Sequence, residues 1–422
     1  MQHPILTLLG FSLFITSTGE LDQSFGVGGR VVDGFFGNTD IASYVLIDAN
    51  NKILIGGSAS KLNPSDHAAL ARYNNDGSAD KSFGNNGKVA THKIGEGTFL
   101  NDGIHGMVLQ STGKIVTCGR ANRASASGFV IARYNNDGAL DNSFGAGAMV
   151  FVADSQEDNH PLAITIDKFD RIVVAAAAVV DGRNSSFAIF RYLANGSIDR
   201  LFGVNGAIRT SITDGMNVPR AVKVDDSGRI VVAGFSGRSQ FTVVRYNENG
   251  ALDLSFADQG IATIVFKANG IDTLHALQLQ SDGKIVVGGD VQVGSYGGMR
   301  MVDFGLARLN EDGKLDLSFN HTGTQITSFV QPAASTLWAL TLQPDGKIVA
   351  VGDASITNSL GVARYNTDGS LDETFGDHGE MMTKCGSTCH WEGVALQPDG
   401  KIVSVGYVWN GKFYEMSVVR YK

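Results

Sequence analysis

Three short segments recur in fixed rotation along this 422-residue chain, seven times each. The first is of the type Leu-Asp-x-Ser-Phe-Gly, the second Gly-Lys-Ile-Val and the third Ala-Arg-Tyr. Their reference residues are Phe25, Phe83, Phe144, Phe202, Phe256, Phe319 and Phe375; Ile53, Ile115, Ile172, Ile230, Ile285, Ile348 and Ile402; and Arg72, Arg133, Arg191, Arg245, Arg308, Arg364 and Arg420. Successive phenylalanines are 54 to 63 residues apart. Repeats of this kind stack on their neighbours, so the seven copies should form one continuous body.

Each repeat has the pattern of four short β-strands. In the first complete unit these are residues 42–48, 52–57 and 68–73, and a segment that runs through Phe83 to residue 91. Asp-Gly-Lys sequences join the first two strands and Asn-x-Asp-Gly sequences join the last two, and both contain the residues that tight hairpins require. The sequence therefore predicts an all-β fold, a seven-bladed β-propeller with four antiparallel strands per blade that occupies residues 20–422 as one domain.

The phase of the repeats predicts how the ring closes. Residues 21–32 have the pattern of a fourth strand with no partners before it, and residues 413–421 have the pattern of a third strand with no successor. If the N-terminal strand completes the last blade, the ring has no open sheet edge. We expect this pairing to be the largest single contributor to ring closure.

Composition excludes several classes of protein. The chain has 53 glycines but only 7 prolines, and 43% of its residues are hydrophobic, which suits many short strands around a core rather than a disordered chain. The net charge is −8, and no run of Lys or Arg occurs. A nucleic-acid partner is therefore not expected.

The N-terminus has features of a secretory signal. Residues 5–15 form a mostly apolar run followed by small residues up to Gly19, a length that suits a signal peptide and is too short to span a membrane. Against this interpretation, no Lys or Arg precedes the run. We expect residues 1–19 to be a signal peptide, the mature protein to be secreted, periplasmic or at the cell surface, and no integral membrane span.

The three motifs together resemble the delta-60 repeat family of bacterial proteins, and the resemblance covers essentially all of residues 21–422. It implies a propeller-like repeat that is often found in exported or surface proteins. It implies no defined reaction and no catalytic residues. Individual copies depart from the pattern, with Leu309 in place of the usual Tyr and with Ala257 and Asn320 in place of the Gly after Phe. We expect these departures to cause local repacking only.

The repeated polar residues have the pattern of structural groups. Seven aspartates accompany the seven arginines at matched positions, and a function that is needed once rarely requires seven identical copies. We expect an Arg–Asp pair in each blade, with the bidentate geometry that a guanidinium offers. The aspartates are Asp22, Asp80, Asp141, Asp199, Asp253, Asp316 and Asp372.

Positions at which the copies differ are better candidates for function. Counting back from the end of each first strand gives seven equivalent residues, Ser43, His105, Leu162, Arg220, His275, Trp338 and Glu392. If the first strand is innermost, these side chains surround the mouth of the central channel and predict a polar recognition site at His105, Arg220, His275, Trp338 and Glu392. The alternative for the two histidines is that each only bonds a neighbouring blade.

Acidic and amide residues lie just outside this ring, at Asp40, Asp102, Asn159, Asn217 and Asp272. We expect them to form Asx turns, with a bound cation near Asp40, Asp102 and Asp272 as the alternative, and we expect no cofactor.

The connections on one face of the propeller vary, whereas those on the other face are uniform tight turns. Binding residues on rigid scaffolds usually lie on such variable loops. Their aromatic residues Tyr296, Tyr407, Trp409, Phe413 and Tyr414 suit contacts with a partner.

Cysteines are few. Cys385 and Cys389 are followed by His390, and a local disulfide is the leading interpretation in an exported protein, with metal binding as the alternative. Cys118 lies on a second strand and should be buried.

These observations favour an exported, monomeric binding or scaffold propeller that presents its irregular loop face to a protein or glycan. One alternative is a hydrolase or lyase at the channel mouth, with His105, His275, Arg220 and Glu392 as acid–base and anion-binding groups. Another is a structural module of a cell-surface assembly. No phosphate loop, nucleophile elbow or His-Glu-x-x-His motif occurs in the sequence.

Overall fold

A computed structural model of the chain describes residues 19–61, 67–94, 98–100, 103–123, 126–153, 158–179, 182, 184–237, 240–267, 270–329, 335–354 and 358–422. These residues form seven antiparallel sheets. The first strands of consecutive sheets contact one another all the way round, and the first strand of the seventh contacts that of the first. The predicted seven-bladed β-propeller is therefore confirmed.

Six of the blades are four-stranded, and each of the first six is continuous in sequence. Blade 1 contains β2 (Asp40–Ile47), β3 (Ile53–Ala59), β4 (His67–Tyr73) and β5 (Lys88–Thr91). Blade 3 contains β12 (Asp158–Ile166), β13 (Ile172–Val179), β14 (Ser185–Tyr192) and β15 (Ala207–Thr210). Blade 4 contains β16 (Asn217–Val224), β17 (Ile230–Ser236), β18 (Gln240–Tyr246) and β19 (Ile261–Ile264). Blade 5 contains β20 (Thr273–Leu279), β21 (Ile285–Tyr296), β22 (Met299–Leu309) and β23 (Thr324–Thr327). Blade 6 contains β24 (Ser335–Leu342), β25 (Ile348–Ala354), β26 (Ser359–Tyr365) and β27 (Glu380–Lys384).

Blade 2 departs from the common pattern, because its first strand is divided. Both β7 (Thr98–Leu100) and β8 (Gly106–Leu109) pair with β9 (Ile115–Arg123), and a short β6 (Lys93–Ile94) pairs with β7. The blade is completed by β10 (Ala126–Tyr134) and β11 (Met149–Val152).

The predicted ring closure is present in blade 7. Its strands are β28 (Cys389–Leu396), β29 (Ile402–Trp409) and β30 (Tyr414–Tyr421), and the outer place is taken by β1 (Arg30–Asp33) from the N-terminus. Four residues of β1 pair with β30, and the amide of Asp22 donates to the carbonyl of Arg420 over 2.9 Å. We call residues 19–33 the closing segment.

The fourth strands are shorter than the sequence pattern predicts. The segment that contains Phe83 is a turn, and the strand itself is only β5. Phe83 is fully buried there and packs with Met107 and Ile115 of blade 2. The same position is buried in every blade, so the repeated phenylalanine fills the space between blades rather than a sheet.

The three repeated motifs meet in one cluster in most blades. In blade 1, the Asp80 carboxylate lies 2.7 Å from the Nε of Arg72 and 2.7 Å from the Nζ of Lys52, and it accepts a hydrogen bond from Ser82. The Arg72 guanidinium stacks on Phe83, 4.6 Å from the ring centroid. An Arg–Asp pair occurs in each of the seven blades, as expected, but the guanidinium bonds one carboxylate oxygen and the expected bidentate geometry is absent from these pairs. Blades 3 and 4 have Arg171 and Arg229 at the position of the lysine, and these pair instead with Asp167 and Asp225.

These clusters also join consecutive blades. The Nη1 of Arg72 donates to the carbonyl of Asn136 in the next blade, and Arg420 does the same to Asn75 across the point of closure. Because each cluster stabilises both its own hairpin and the adjacent one, every copy needs the same residues. This requirement explains the seven-fold repetition without any catalytic role.

Candidate functional site

The seven residues predicted at the channel mouth, hereafter the mouth ring, are placed by a common backbone irregularity. In six blades the pairing of the first and second strands shifts at one residue, a β-bulge, and that residue belongs to the mouth ring. The six bulged residues are Ser43, Leu162, Arg220, His275, Trp338 and Glu392. In the divided blade, the amide of His105 donates to the carbonyl of Cys118 immediately before β8. A bulge re-aims a side chain, so the mouth ring is built into the strands rather than carried on loops.

A glycine on the second strand accompanies most of these bulges. In blade 6, a Cβ at Gly352 would lie 1.9 Å from the carbonyl oxygen of Thr336, and a Cβ at Gly57, Gly234, Gly289 or Gly406 would lie 1.9–2.1 Å from the equivalent oxygen. In the divided blade 2, a Cβ at Gly119 would lie 2.2 Å from the carbonyl oxygen of Gly103. Blade 3 carries Ala176 at the matching position, opposite Pro161. The recurring glycine is therefore the sequence signal of the bulge.

All seven residues of the mouth ring line one cavity of about 500 Å³. Tyr44, Lys223 and several small apolar residues complete its wall. This volume falls within the range of sites that bind small ligands. The structure thus brings together the residues that the sequence predicted to meet, and their role in binding stays a prediction.

Blades 5 and 6 contribute a pair of rings in contact at the mouth. The rings of His275 and Trp338 have centroids 4.4 Å apart and are tilted by 50° to each other. The Nε2 of His275 lies 3.4 Å from Asp290, and the Nε1 of Trp338 donates to Asp353 over 3.1 Å. Both aspartates are buried on second strands. The two aspartates therefore hold the His275–Trp338 pair on the side away from the cavity, and the pair faces the cavity.

Blade 7 contributes a partly buried carboxyl group. Burial raises the pKa of Glu392, although the neighbouring Ser43, His390 and Tyr407 oppose the rise. Next to it, the Nδ1 of His390 lies 3.1 Å from Asp353, and this hydrogen bond raises the pKa of His390. Asp353 also accepts the amide of Trp391 over 2.8 Å, so one carboxylate links blade 6 to blade 7.

Blade 4 contributes two cations from the single strand β16. Arg220 is the bulged residue and Lys223 follows three positions later, and both line the cavity. The Nε of Arg220 has no hydrogen-bond acceptor among the described residues. Burial lowers the pKa of both side chains.

The two histidines of the mouth ring also have structural partners. The Nδ1 of His105 lies 3.2 Å from the carbonyl oxygen of Pro161 in blade 3, and His275 contacts Asp290 and Trp338 as above. Both rings nevertheless reach the cavity wall. Each histidine therefore contacts a neighbouring residue and also lines the cavity.

Aromatic rings lead outward from the mouth along blade 7. His390 stacks near Tyr407 with centroids 5.1 Å apart, Tyr407 meets Tyr414 at 5.2 Å, and Tyr414 meets Trp409 at 5.1 Å. We call these four side chains the aromatic strip. Of the other two predicted loop aromatics, Phe413 lies beside Lys412 near the start of β30, and Tyr296 lies apart at the tip of the β21–β22 hairpin in blade 5 and is 67% exposed.

Near the aromatic strip, Cys385 and Cys389 form a disulfide bond. The Nε1 of the fully buried Trp391 lies 3.3 Å from each sulfur. Cys118 is buried between strands, as expected.

The predicted Asx turns outside the mouth ring require correction. The carboxylate of Asp40 accepts the amide of Phe35, five residues earlier, and that of Asp272 accepts the amide of Gln292 on the second strand. These side chains brace longer loops, because an Asx turn spans only two residues. Asp102 lies outside the described residues. In the described ranges, no group of three or more His, Cys, Asp or Glu is arranged to hold a metal ion.

Sequence reasoning missed four residues of the site. Asp290 and Asp353 each follow the glycine that marks the bulge, so a Gly-Asp pair on a second strand is the signal that could have found them. Tyr44, whose hydroxyl donates to the carbonyl of His105 over 2.6 Å, and Lys223 carried no repeat signal.

In the part of the chain that the structure describes, no helix is long and apolar enough to cross a bilayer.

Comparison with known proteins agrees with this architecture. The family described as "Domain of unknown function (DUF5122) beta-propeller" matches residues 49–83, 110–144, 170–202, 226–256, 280–319 and 343–375. A search of curated proteins found no significant match.

The similar solved structures have low sequence identity to this chain. A catalytically inactive virginiamycin B lyase from Staphylococcus aureus is 11% identical, with 92% of this chain and 98% of that chain covered and a TM-score of 0.51. A protein of unknown function from Dyadobacter fermentans is 10% identical, with coverages of 94% and 100% and a TM-score of 0.49. An alpha-L-arabinanase from Penicillium chrysogenum is 10% identical, with coverages of 92% and 96% and a TM-score of 0.44. These likenesses concern the fold alone. The chain is a seven-bladed β-propeller, six segments of which match the model of the DUF5122 beta-propeller family.

Proposed function

We propose that the protein is a non-enzymatic glycan-binding propeller. One sugar residue of the ligand occupies the channel mouth, and adjoining residues lie along the aromatic strip. The observation that carries this proposal is the continuity of the two features. On β29, Tyr407 lies opposite His390, two residues from Glu392 of the mouth ring, and its ring centroid lies 5.1 Å from that of His390 and 5.2 Å from that of Tyr414 in the aromatic strip.

The chemistry of the site favours a sugar over a protein surface. A sugar ring offers flat C–H faces to aromatic rings and hydroxyls that both donate and accept, and the mouth presents Trp338 beside His275, Glu392 and Ser43. A cavity of about 500 Å³ suits a ligand of one or two sugar residues. Specific protein interfaces cover roughly 800 Å² per partner, which a recessed mouth does not supply.

The first experiment measures binding to a panel of neutral and acidic polysaccharides by affinity electrophoresis and calorimetry. Trp409→Ala and Tyr414→Ala should each weaken binding by about 2- to 12-fold, which corresponds to an aromatic contact of about 0.5–1.5 kcal/mol. Phe169→Ala is the matched control, because Phe169 is 61% exposed on the face of uniform turns. The proposal fails if wild-type protein binds no polysaccharide, or if both variants bind as well as wild type. Recovery of a specific protein partner that a bound glycan does not displace would favour the protein alternative.

A second candidate function, a hydrolase or lyase, is favoured by one observation. Glu392, whose pKa burial raises, lies beside Tyr407 and across the mouth from His275 and His105. A carboxyl group with a raised pKa and an imidazole are groups that general acid–base catalysis uses. Incubation with the same polysaccharides should then release new reducing ends or unsaturated products. Combined alanine substitution at His105, His275 and Glu392 should abolish the release, whereas binding along the aromatic strip should persist.

We also propose that the protein is exported, with residues 1–19 as the signal peptide. The Cys385–Cys389 disulfide supports this proposal, because such bonds persist in oxidising compartments. Cell fractionation and N-terminal sequencing of the mature protein test it, and a cytosolic protein that retains its first residues would contradict it.

A further inference from the structure

The two cations of β16 lie in the wall of the central cavity without a carboxylate partner among the described residues. Arg220 and Lys223 both line the central cavity, and neither forms an ion pair with a described residue. The Arg–Asp pairs of the seven blades show the opposite arrangement, with each guanidinium bonded to a carboxylate.

Nearby acids do not compensate these charges. Asp290, whose charge acts on Arg220, lies instead 3.4 Å from His275 and 3.8 Å from Arg300. Glu392 lies three blades away on the ring, and burial favours its neutral form. The cavity therefore holds an excess of positive charge on the side of blade 4.

A partly buried, unpaired cation costs folding free energy. Burial lowers the pKa of both Arg220 and Lys223, because loss of solvent disfavours the charged form of each side chain. An anionic group of a ligand in the cavity would offset this cost by charge and by hydrogen bonds to the Arg220 guanidinium and the Lys223 ammonium.

We propose that the channel mouth recognises an acidic sugar, whose carboxylate or sulfate binds Arg220 and Lys223. This inference rests on the proposed function and names its ligand class. The acidic group then faces blade 4, the sugar ring lies against Trp338 of blade 6, and its hydroxyls reach Glu392 of blade 7. From there the chain continues onto the aromatic strip.

The test compares D-glucuronate, D-glucose and inorganic sulfate by calorimetry and ligand-observed NMR. We expect glucuronate to bind about tenfold to a hundredfold more tightly than glucose, the range of a hydrogen bond to a charged group. Arg220→Gln and Lys223→Met should each remove about tenfold, and the double variant should bind glucuronate no better than glucose. The matched controls Arg209→Gln and Lys314→Met change exposed cations outside the cavity and should bind as wild type.

Misfolding is separated from loss of the site by the melting temperature. Lys223→Met removes an unpaired cation, so the variant should melt at or above the wild-type temperature while it loses affinity. A variant that melts far lower would instead indicate that Lys223 has a structural partner, and would contradict the proposal.

Each of the remaining outcomes overturns the acidic-sugar inference, the proposed glycan binding, or both. If glucuronate binds no tighter than glucose, or if the double variant binds it as wild type does, the inference is overturned and glycan binding stands. If sulfate binds through Arg220 and Lys223 but no mono- or polysaccharide binds, the anion site stands and the proposed function fails. If no probe and no polysaccharide binds, both fail.

Discussion

Asp22 offers the sharpest test of how the ring is closed. Its carboxylate lies in the closing segment, 2.8 Å from the Nη2 of Arg420 and 3.4 Å from the Nζ of Lys401, and it accepts a hydrogen bond from Ser24 over 2.6 Å. The side chains of Asp22 and Arg420 are only 4% and 2% exposed. Asp22→Ala therefore leaves a buried guanidinium without its carboxylate.

The expected cost follows from that burial. Removal of one partner of a buried ion pair costs about 3–5 kcal/mol, because the remaining charge is uncompensated. In blade 7 the two strands that the pair joins are 398 residues apart in sequence, so no hairpin turn holds them together. The lost free energy should therefore lower the cost of opening the closing segment. The amides of that segment should exchange roughly a hundredfold to a few thousandfold faster.

The matched control is Asp141→Ala in blade 2. Asp141 has the same partners, with Arg133 at 2.7 Å, Lys114 at 2.6 Å and Ser143 at 2.6 Å, but there the third and fourth strands are joined by the chain. Hydrogen exchange measured by mass spectrometry should show selective loss of protection in residues 19–33 for Asp22→Ala only. Equal protection of that segment in both variants would refute the view that the closing segment is the weak point of the ring. Deletion of residues 20–33 should lower the melting temperature further still.

Three more predictions concern single groups. Burial raises the pKa of Asp303 to about 6, so wild type loses stability as pH rises from about 4 through 6. Asp303→Asn should therefore raise the free energy of unfolding by about 1–3 kcal/mol at pH 7.5, seen as a higher melting temperature, but should not do so at pH 4; an equal gain at both pH values would contradict this. Gly352→Ala should lower the free energy of unfolding by about 1–3 kcal/mol and change the fluorescence of Trp338, because the new Cβ displaces the bulge. An unchanged fluorescence spectrum and an unchanged melting temperature would contradict this prediction. Replacing Cys385 and Cys389 together by Ser should cost about 2 kcal/mol in chemical denaturation, the value for so short a loop, and a loss above 5 kcal/mol would show another role.

Much of the candidate site could be predicted from the sequence, because the repeat shows which positions are equivalent in the seven blades. The same count along each first strand identified Arg220, His275, Trp338 and Glu392, and all four line one cavity. The count works because every blade presents its first strand to the axis in the same register. The reason for the placement, a bulge at each of these residues, depends on how two strands pair and was visible only as the glycine of Gly352 and its equivalents.

Groups that act across strands or blades were not accessible in this way. Asp353 is an ordinary second-strand residue in the sequence, yet it contacts Trp338 on its own blade and His390 on the next. The aromatic strip likewise arises from pairing of β28, β29 and β30. Such contacts depend on lateral packing, which no count along one strand describes.

By itself, the sequence determined the number of blades, their order and the place where the ring closes. Identical contacts between neighbouring blades require identical residues, so Arg72, Asp80, Phe83 and their equivalents record the architecture in the chain. Only the tertiary structure decided which of the variable residues meet and with what charge. The unpaired cations Arg220 and Lys223 became evident only there, because a charge is unpaired with respect to its surroundings in space and not to its neighbours in sequence.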